Sequence, residues 1–347
     1  MSKNFKNRIE KKILEKRSIW QLNRSSTIDK FFFKEKPTFQ TKTKTKKINY
    51  FVCFWGDRYL NMVKNILIPS LNQPNNVKIL NKLGYDQTFY IYCPYSKENL
   101  LESHHVKSIN ESVDIQVTQF DSKLEERFAK FTLRNNLIDF IDKSINSDAI
   151  ASVLTADMII GDQSLLNMIK IMDNNDICLA AIHPRVNYTD FYNFFSKFFN
   201  GENNVLTNQF LVKKSIENLH KSWSCFLNSD DNLPLGNHIV KLSDKIYQAR
   251  SSRVNVAFTR FKKSDLKFYQ RVDNFNWIDR LWPRKLILEN RYRFVSDSDL
   301  YFFSELTNEN LLPTMKEKKW LQSNLSGGPA RTLNYSINDI LNAYWRI

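Results

Sequence analysis

Ile48-Asn49-Tyr50-Phe51-Val52-Cys53-Phe54-Trp55 is the stretch on which the fold turns. It is short, rich in aromatic and branched side chains, and bounded by a lysine run behind and Gly56-Asp57 ahead. Length and flanks together read as a buried strand. Gly56 and Asp57 then open a helix in which Leu60, Val63 and Leu67 keep helical spacing up to Pro69. The alternation continues downstream. Residues 88–93 form a second apolar strand halted by Pro94, residues 97–103 read as a helix, and residues 114–120 alternate as a third strand. A long amphipathic helix follows from about Ser122, with Leu124, Phe128, Phe131, Ile138, Ile141 and Ile145 on one stripe. Residues 149–160 are expected to be one strand with an acid near its end. Asp162 is placed to cap the next helix, with Leu165, Ile169 and Met172 on one face, and residues 177–182 make a fifth strand.

Strands alternating with helices in this way specify an α/β layer: a Rossmann-like, mostly parallel central sheet with helices on both faces. Such sheets bind ligands in the crevice outside the carboxyl ends of their strands. Three strand exits are polar here: Gly56-Asp57-Arg58, Ala156-Asp157 and His183-Pro184-Arg185. After residue 186 the rhythm loosens into an irregular α+β half. Helices are expected at 190–199 and 212–226, strands within 246–258 and at 292–295, and a closing helix near 337–345. The organisation is a basic arm (1–47), an α/β half (48–186), a second half (187–315) and a C-terminal tail and helix (316–347).

Composition removes several chemistries. The chain has 347 residues but only seven glycines, and none of their spacings allows a dinucleotide-binding glycine fingerprint or a Walker A loop. Zinc-protease, nucleophile-elbow and C-x-x-C patterns are absent as well. Cys53, Cys93, Cys178 and Cys225 are too few and too scattered for a disulfide framework, and read as small buried hydrophobes in a reducing compartment. His104 and His105 fall in a polar linker, and the dispersal of Cys and His argues against zinc. The net charge of +15 is concentrated: residues 1–47 carry 15 Lys/Arg against 4 Asp/Glu, leaving the other 300 residues at only +4. Such an arm can meet anionic lipid, nucleic acid or an acidic polymer, or simply keep an aromatic-rich protein soluble. The near-neutral body makes nucleic acid the less expected partner. The start of the chain has no apolar stretch of signal-peptide length, and no window reaches the about 18 apolar residues of a membrane span. A cytoplasmic protein, at most peripheral at the inner membrane surface, is the expectation.

The segment Val153-Leu154-Thr155-Ala156-Asp157-Met158-Ile159-Ile160-Gly161-Asp162 resembles the Asp-x-Asp region of GT-A type glycosyltransferases. Trp55-Gly56-Asp57-Arg58-Tyr59, followed by Pro69-Ser70-Leu71, is similar to the opening of a bacterial surface-polysaccharide group of that kind. The resemblance implies a GT-A-like fold and transfer of a sugar from a nucleotide sugar to a glycan or lipid-linked acceptor. It also implies a divalent cation, Mn or Mg, held by carboxylates under the donor diphosphate. Here Thr155 stands where the first acid would be, so Asp157 alone is the implied metal ligand. Donor-binding residues would be Trp55, Gly56, Arg58, Tyr59, Thr155, Asp157, His183 and Arg185. Asp297-Ser298-Asp299 has the literal Asp-x-Asp form, and with Asp157 makes the candidate catalytic set. Asp279 and Arg280 fall on the acceptor side. The competing readings are a non-catalytic relative that binds a nucleotide or glycan, and a nucleic-acid-binding protein working through the arm.

Overall fold

The computed structural model describes residues 46–121, 126–172, 178–181, 183–201, 204–221, 238–243, 245–251, 255–271, 286, 291–295, 297–310 and 341–347. The arm up to residue 45, Cys225, Asp279 and Arg280 lie outside the described residues.

Four parallel strands form the centre, in the order β3-β2-β1-β4: β1 (Lys47–Cys53), β2 (Asp86–Cys93), β3 (Asp114–Gln119) and β4 (Ile150–Val153). Side-chain alternation divides β1 between two cores. Ile48, Tyr50, Val52 and Phe54 enter one, while Phe51 enters the other with Tyr92, Ala151 and Val153. Both faces are therefore apolar, which is why the run carries almost no polar residue. The second of these cores is closed by Leu137, Phe140 and Ile141 of α5 (Glu126–Asn146). Phe140 is fully buried between the rings of Phe51 and Tyr90, 5.1 and 5.9 Å away. Removing a ring so placed typically costs about 3–5 kcal/mol.

The first core is covered by α1, α2 (Val77–Lys82), α3 (Lys97–Leu101), α4 (His104–Asn110) and α6 (Ser164–Met172). Helix α1 starts at Asp57–Met62, loosens into a π-turn over Val63–Leu67, and ends as Ile68–Leu71. It runs through Pro69 and ends on Pro69-Ser70-Leu71. The Ile68 N–H donates to the Val63 carbonyl, five residues back, just before the proline that has no N–H to give. The wider turn absorbs the break.

Other elements depart from the sequence expectations. His104 and His105 begin α4 and are not in a linker. Residues 149–160 are two strands: β4 ends at Val153, the chain turns at 155–158, and β5 (Met158–Ile160) joins another sheet. Leu154 before that turn and Ala156 within it are buried, so Thr155 and Asp157 stand singly among apolar residues and read as a strand exit and not as a break. Asp162 does not cap α6; its oxygens accept from the Asn75 backbone N–H and side-chain amide at 2.9 and 2.7 Å, tying down the loop before α2.

Around the main sheet lie three three-stranded sheets: β10-β6-β11, β5-β12-β7 and β13-β9-β8. Their strands are β6 (Cys178–Ala181), β7 (Arg185–Asn187), β8 (His238–Ser243), β9 (Ile246–Ser251), β10 (Asn255–Phe258), β11 (Tyr292–Phe294), β12 (Phe303–Thr307) and β13 (Leu341–Arg346). The segment 341–346, expected as a helix, is thus a strand, paired antiparallel with β9 over its length. Cross-strand pairing outweighs local propensity there. Helices α7 (Tyr188–Asn200) and α8 (Asn208–Glu217) pack Phe191, Phe195, Leu211 and Val212 with Met62 and Ile66 of α1 into a third core. Helix α8 begins four residues before the expected 212, with the Thr207 hydroxyl accepting from the Phe210 N–H at 3.2 Å. Helix α9 (Lys263–Arg271) packs against α5. Among the described residues no helix is long and apolar enough to cross a membrane.

Candidate functional site

The carboxyl ends of β1 and β4 meet the β5-β12-β7 sheet, and a cluster of charges collects at that meeting. Gly56 makes the exit of β1 possible. Its φ of +81° and ψ of 148° suit glycine alone, and no atom lies within 4 Å of where a Cβ would stand. It turns the chain so that Trp55 stays exposed at the rim while Arg58 and Tyr59 point inward. The Asp57 carboxylate accepts from the Tyr95 hydroxyl at 2.9 Å. The Arg58 guanidinium lies 4.3 Å from the centre of the Tyr188 ring and 5.8 Å from that of Tyr59, held between two aromatic faces. Its Nε is buried and has no hydrogen-bond partner among the described residues.

Asp157 sits in the turn between β4 and β5. Its backbone carbonyl accepts from the Leu306 N–H at 2.8 Å, and the Thr155 hydroxyl bonds its carboxylate. Glu305 reaches the same place from β12. The parallel register of β12 with β7 sets Glu305 opposite Arg185, although 120 residues separate them in sequence. Arg185 grips the Glu305 carboxylate with Nη2 at 3.0 Å and Nε at 3.2 Å, and His183 Nε2 approaches it at 3.1 Å. The His183 ring stacks on Phe303, 4.4 Å between centres, and its Nδ1 is buried without a partner among the described residues.

Two acids thus share one arginine, and they divide. Burial would raise Glu305, but Arg185 first and then His183 overcome it and hold its carboxyl below the usual range. Asp157 takes the opposite course: burial first, and then the Glu305 charge, push it up to about 7 against the Thr155 hydroxyl and Arg185. Tyr59 is raised too, by burial and then by Asp157. A carboxyl that titrates near neutrality beside a fixed ion pair can exchange protons at ordinary pH, which is how functional sites differ from structural ion pairs.

Of the residues singled out in the sequence, Arg58, Tyr59, Thr155, Asp157, His183 and Arg185 converge here, with Trp55 and Gly56 at the rim. Asp297 and Asp299 do not join them. β5 and β12 are antiparallel, Phe303 facing Ile160 and Glu305 facing Met158. Asp157 stands at one end of that ladder and the 297–299 turn at the other. There the Asp299 carbonyl accepts from Asn208, and the Asp297 carboxylate accepts from the Asp299 N–H at 3.0 Å. Gly161 permits this packing: a Cβ on it would collide with the Asn208 side chain.

Sequence reading missed Glu305. Its one signal is an acid inside the apolar strand Phe303-Ser304-Glu305-Leu306. It missed Glu309 as well, whose carboxylate accepts from the Thr189 N–H at 2.9 Å in the first turn of α7.

Among the described residues no three His, Cys, Asp or Glu side chains group so as to hold a metal ion. A divalent cation wants six or more oxygens. Asp157 and Thr155 offer one carboxylate and one hydroxyl, and Glu305 is already engaged by Arg185 and His183. This donor set does not fit a dedicated cation cage. A cavity of about 370 Å³ lies elsewhere, at the amino ends of β2 and β3, lined by Asp86, Lys97, Glu111 and Asp114 among others.

No family model matches the chain, and no curated protein matches its sequence. Among solved structures it is similar to S. aureus TarS 1–349 at 13% identity and TM-score 0.39, over 82% of this chain and 65% of that one. The complex of TarS 1–349 with UDP gives 12% and 0.41 over the same shares. A putative glucose-1-phosphate thymidylyltransferase from Bacillus anthracis, in complex with a sucrose, gives 8% and 0.36 over 84% of this chain and 99% of that one. The chain therefore spans 65% of the length of the TarS structures.

Proposed function

We propose that this protein is a glycosyltransferase that moves a sugar from a nucleotide-sugar donor to a glycan or lipid-linked acceptor. The observation that carries the reading is the charge cluster at the carboxyl ends of β1 and β4, where a parallel sheet receives its ligands. Trp55, exposed at the rim, offers a stacking face for the base. Arg58, braced on Tyr188 and with a donor to spare, meets the diphosphate. Arg185, on the far side of the cluster, adds positive charge as the nucleoside diphosphate departs. Asp157, titrating near neutrality, accepts the acceptor hydroxyl proton. In this form of the proposal the two arginines neutralise the leaving group. Nucleotide binding without Mn²⁺ is the outcome this form expects.

The test is thermal unfolding of the whole chain with a panel of nucleotides and nucleotide sugars, with and without Mn²⁺, followed by donor hydrolysis in the same samples. A donor site raises Tm by mass action. No shift with any nucleotide overturns the proposal. A shift without hydrolysis or transfer favours the second reading, a nucleotide-binding relative without catalysis, for which the observation is Thr155 in place of a second carboxylate beside Asp157.

A further inference from the structure

Helix α7 is aromatic on two sides. Phe191 and Phe195 are buried in the third core, but Phe194 is 39% exposed and Phe198 is only partly covered. Phe194, Lys197, Phe198 and Gly201 follow at steps of three, four and seven residues, so they share the outward face. Helix α8 repeats the pattern with Phe210, Lys213, Lys214 and Glu217. The two faces join. The Phe198 ring stacks on Phe210 at 5.6 Å, Phe194 lies 6.1 Å from Phe210, and Lys214 Nζ stands 4.9 Å from the Phe194 ring centre. In the connection between the helices, Val205 is 45% exposed. Phe198 and Phe210 also pack against the third core, but Phe194 and Val205 extend the apolar surface outward beyond it, as a docking surface does.

We propose that the paired outer faces of α7 and α8 dock on an anionic lipid bilayer. Lys197 and Lys213 are exposed on the same faces as the rings; of the two acids there, Glu217 is paired with Lys214 at 2.8 Å and Asp190 lies one turn before Phe194, at the far end of the face. Phenylalanines edged by lysines are the composition of an interfacial helix face, with rings at the acyl boundary and ammonium groups among lipid phosphates. A second copy fits less well. A two-fold interface would bring two faces edged by Lys197 and Lys213, of the same sign, against each other. A glycan fits less well too, because these phenylalanine rings bring no hydrogen-bonding group. The proposal stands apart from the transfer chemistry and from the basic arm.

The experiment is flotation of the full chain with vesicles of phosphatidylcholine alone or containing phosphatidylglycerol, at low and high salt. High salt screens the arm and leaves apolar insertion in view. Phe194→Ser with Val205→Ser, both at exposed positions, should lower partition onto anionic vesicles at high salt at least about tenfold, with the thermal midpoint little changed. Lys197→Glu with Lys213→Glu, both exposed, should lower partition at low salt and leave folding intact. Equal flotation of wild type and both variants overturns the proposal, as does failure of the wild type to float. Equal flotation on neutral and anionic vesicles removes the lipid charge from it. A wild type that sediments as a dimer, made monomeric by the Phe194 and Val205 double variant, assigns the surface to a second copy instead.

Discussion

Two ionic clusters in this protein use the same residue types to opposite ends. Asp265 and Arg291 form a closed pair, with side chains 0% and 6% exposed. Arg291 Nη1 lies 3.0 and 3.1 Å from the two carboxylate oxygens, the Lys262 N–H donates to one of them at 2.8 Å, and Arg291 Nη2 donates to the Arg260 carbonyl at 2.9 Å. One acid meets one base, and each also bonds a backbone group. At the crevice, Asp157 and Glu305 crowd around Arg185 and His183, and Asp157 is left near its protonation midpoint at neutral pH. A charge-balanced buried pair holds elements together; an excess of like charge costs stability and is kept where something outside the fold uses it.

Breaking the closed pair should give the largest effect. Asp265→Ala leaves a buried guanidinium without its carboxylate and should cost about 3–5 kcal/mol, read from urea unfolding. A loss below about 1 kcal/mol would erase the contrast between the clusters. Arg58→Ala comes next. It removes a charged donor and should weaken nucleotide binding about tenfold or more, since a hydrogen bond to a charged group contributes about 1.5–3 kcal/mol. Unchanged affinity by calorimetry would place the phosphates elsewhere.

The pH dependence sharpens the comparison further. A carboxyl whose folded pKa is raised binds its proton more tightly in the native state. Its contribution is complete below the usual Asp range and is lost as pH rises through about 7. Glu305 is held low, so its contribution is present above the usual Glu range and fades only in stronger acid. Wild-type urea midpoints should therefore fall between pH 5 and pH 7.5, and Asp157→Asn should flatten that fall; parallel profiles would show that Asp157 is not the frustrated group. The smallest effect belongs to Asp299→Ala. Its side chain is exposed at the far end of the β5-β12 ladder, so stability should move by no more than about 0.5 kcal/mol and nucleotide affinity not at all.

Much of this was legible in the chain itself. Strands buried on both faces need continuous apolar runs, so β1, β2 and the start of β4 announced themselves, and helical spacing marked α1 and α6; it marked α5 as a helix too, but Phe131 of the expected stripe is exposed while Leu137 and Phe140 fill the core. The exits of β1 and β4 then pointed to Arg58 and Asp157, because the carboxyl edge of a parallel sheet is set by chain direction, whereas the expected fifth strand, β6, lies in another sheet and Arg185 enters as the first residue of β7. Three things were decided elsewhere. Residues 149–160 are apolar except for Ser152, Thr155 and Asp157, a pattern that one strand with a polar exit also fits, and the separate pairing of β4 with β1 and of β5 with β12 shows where one strand stops and the next begins. Residues 341–346 carry no local preference strong enough to outweigh the offer of pairing from β9. Glu305 could be identified only once the β12-β7 register had set it opposite Arg185. Local periodicity records which face of an element is buried; which remote charge shares that burial depends on strand register, and register is a property of the assembled fold.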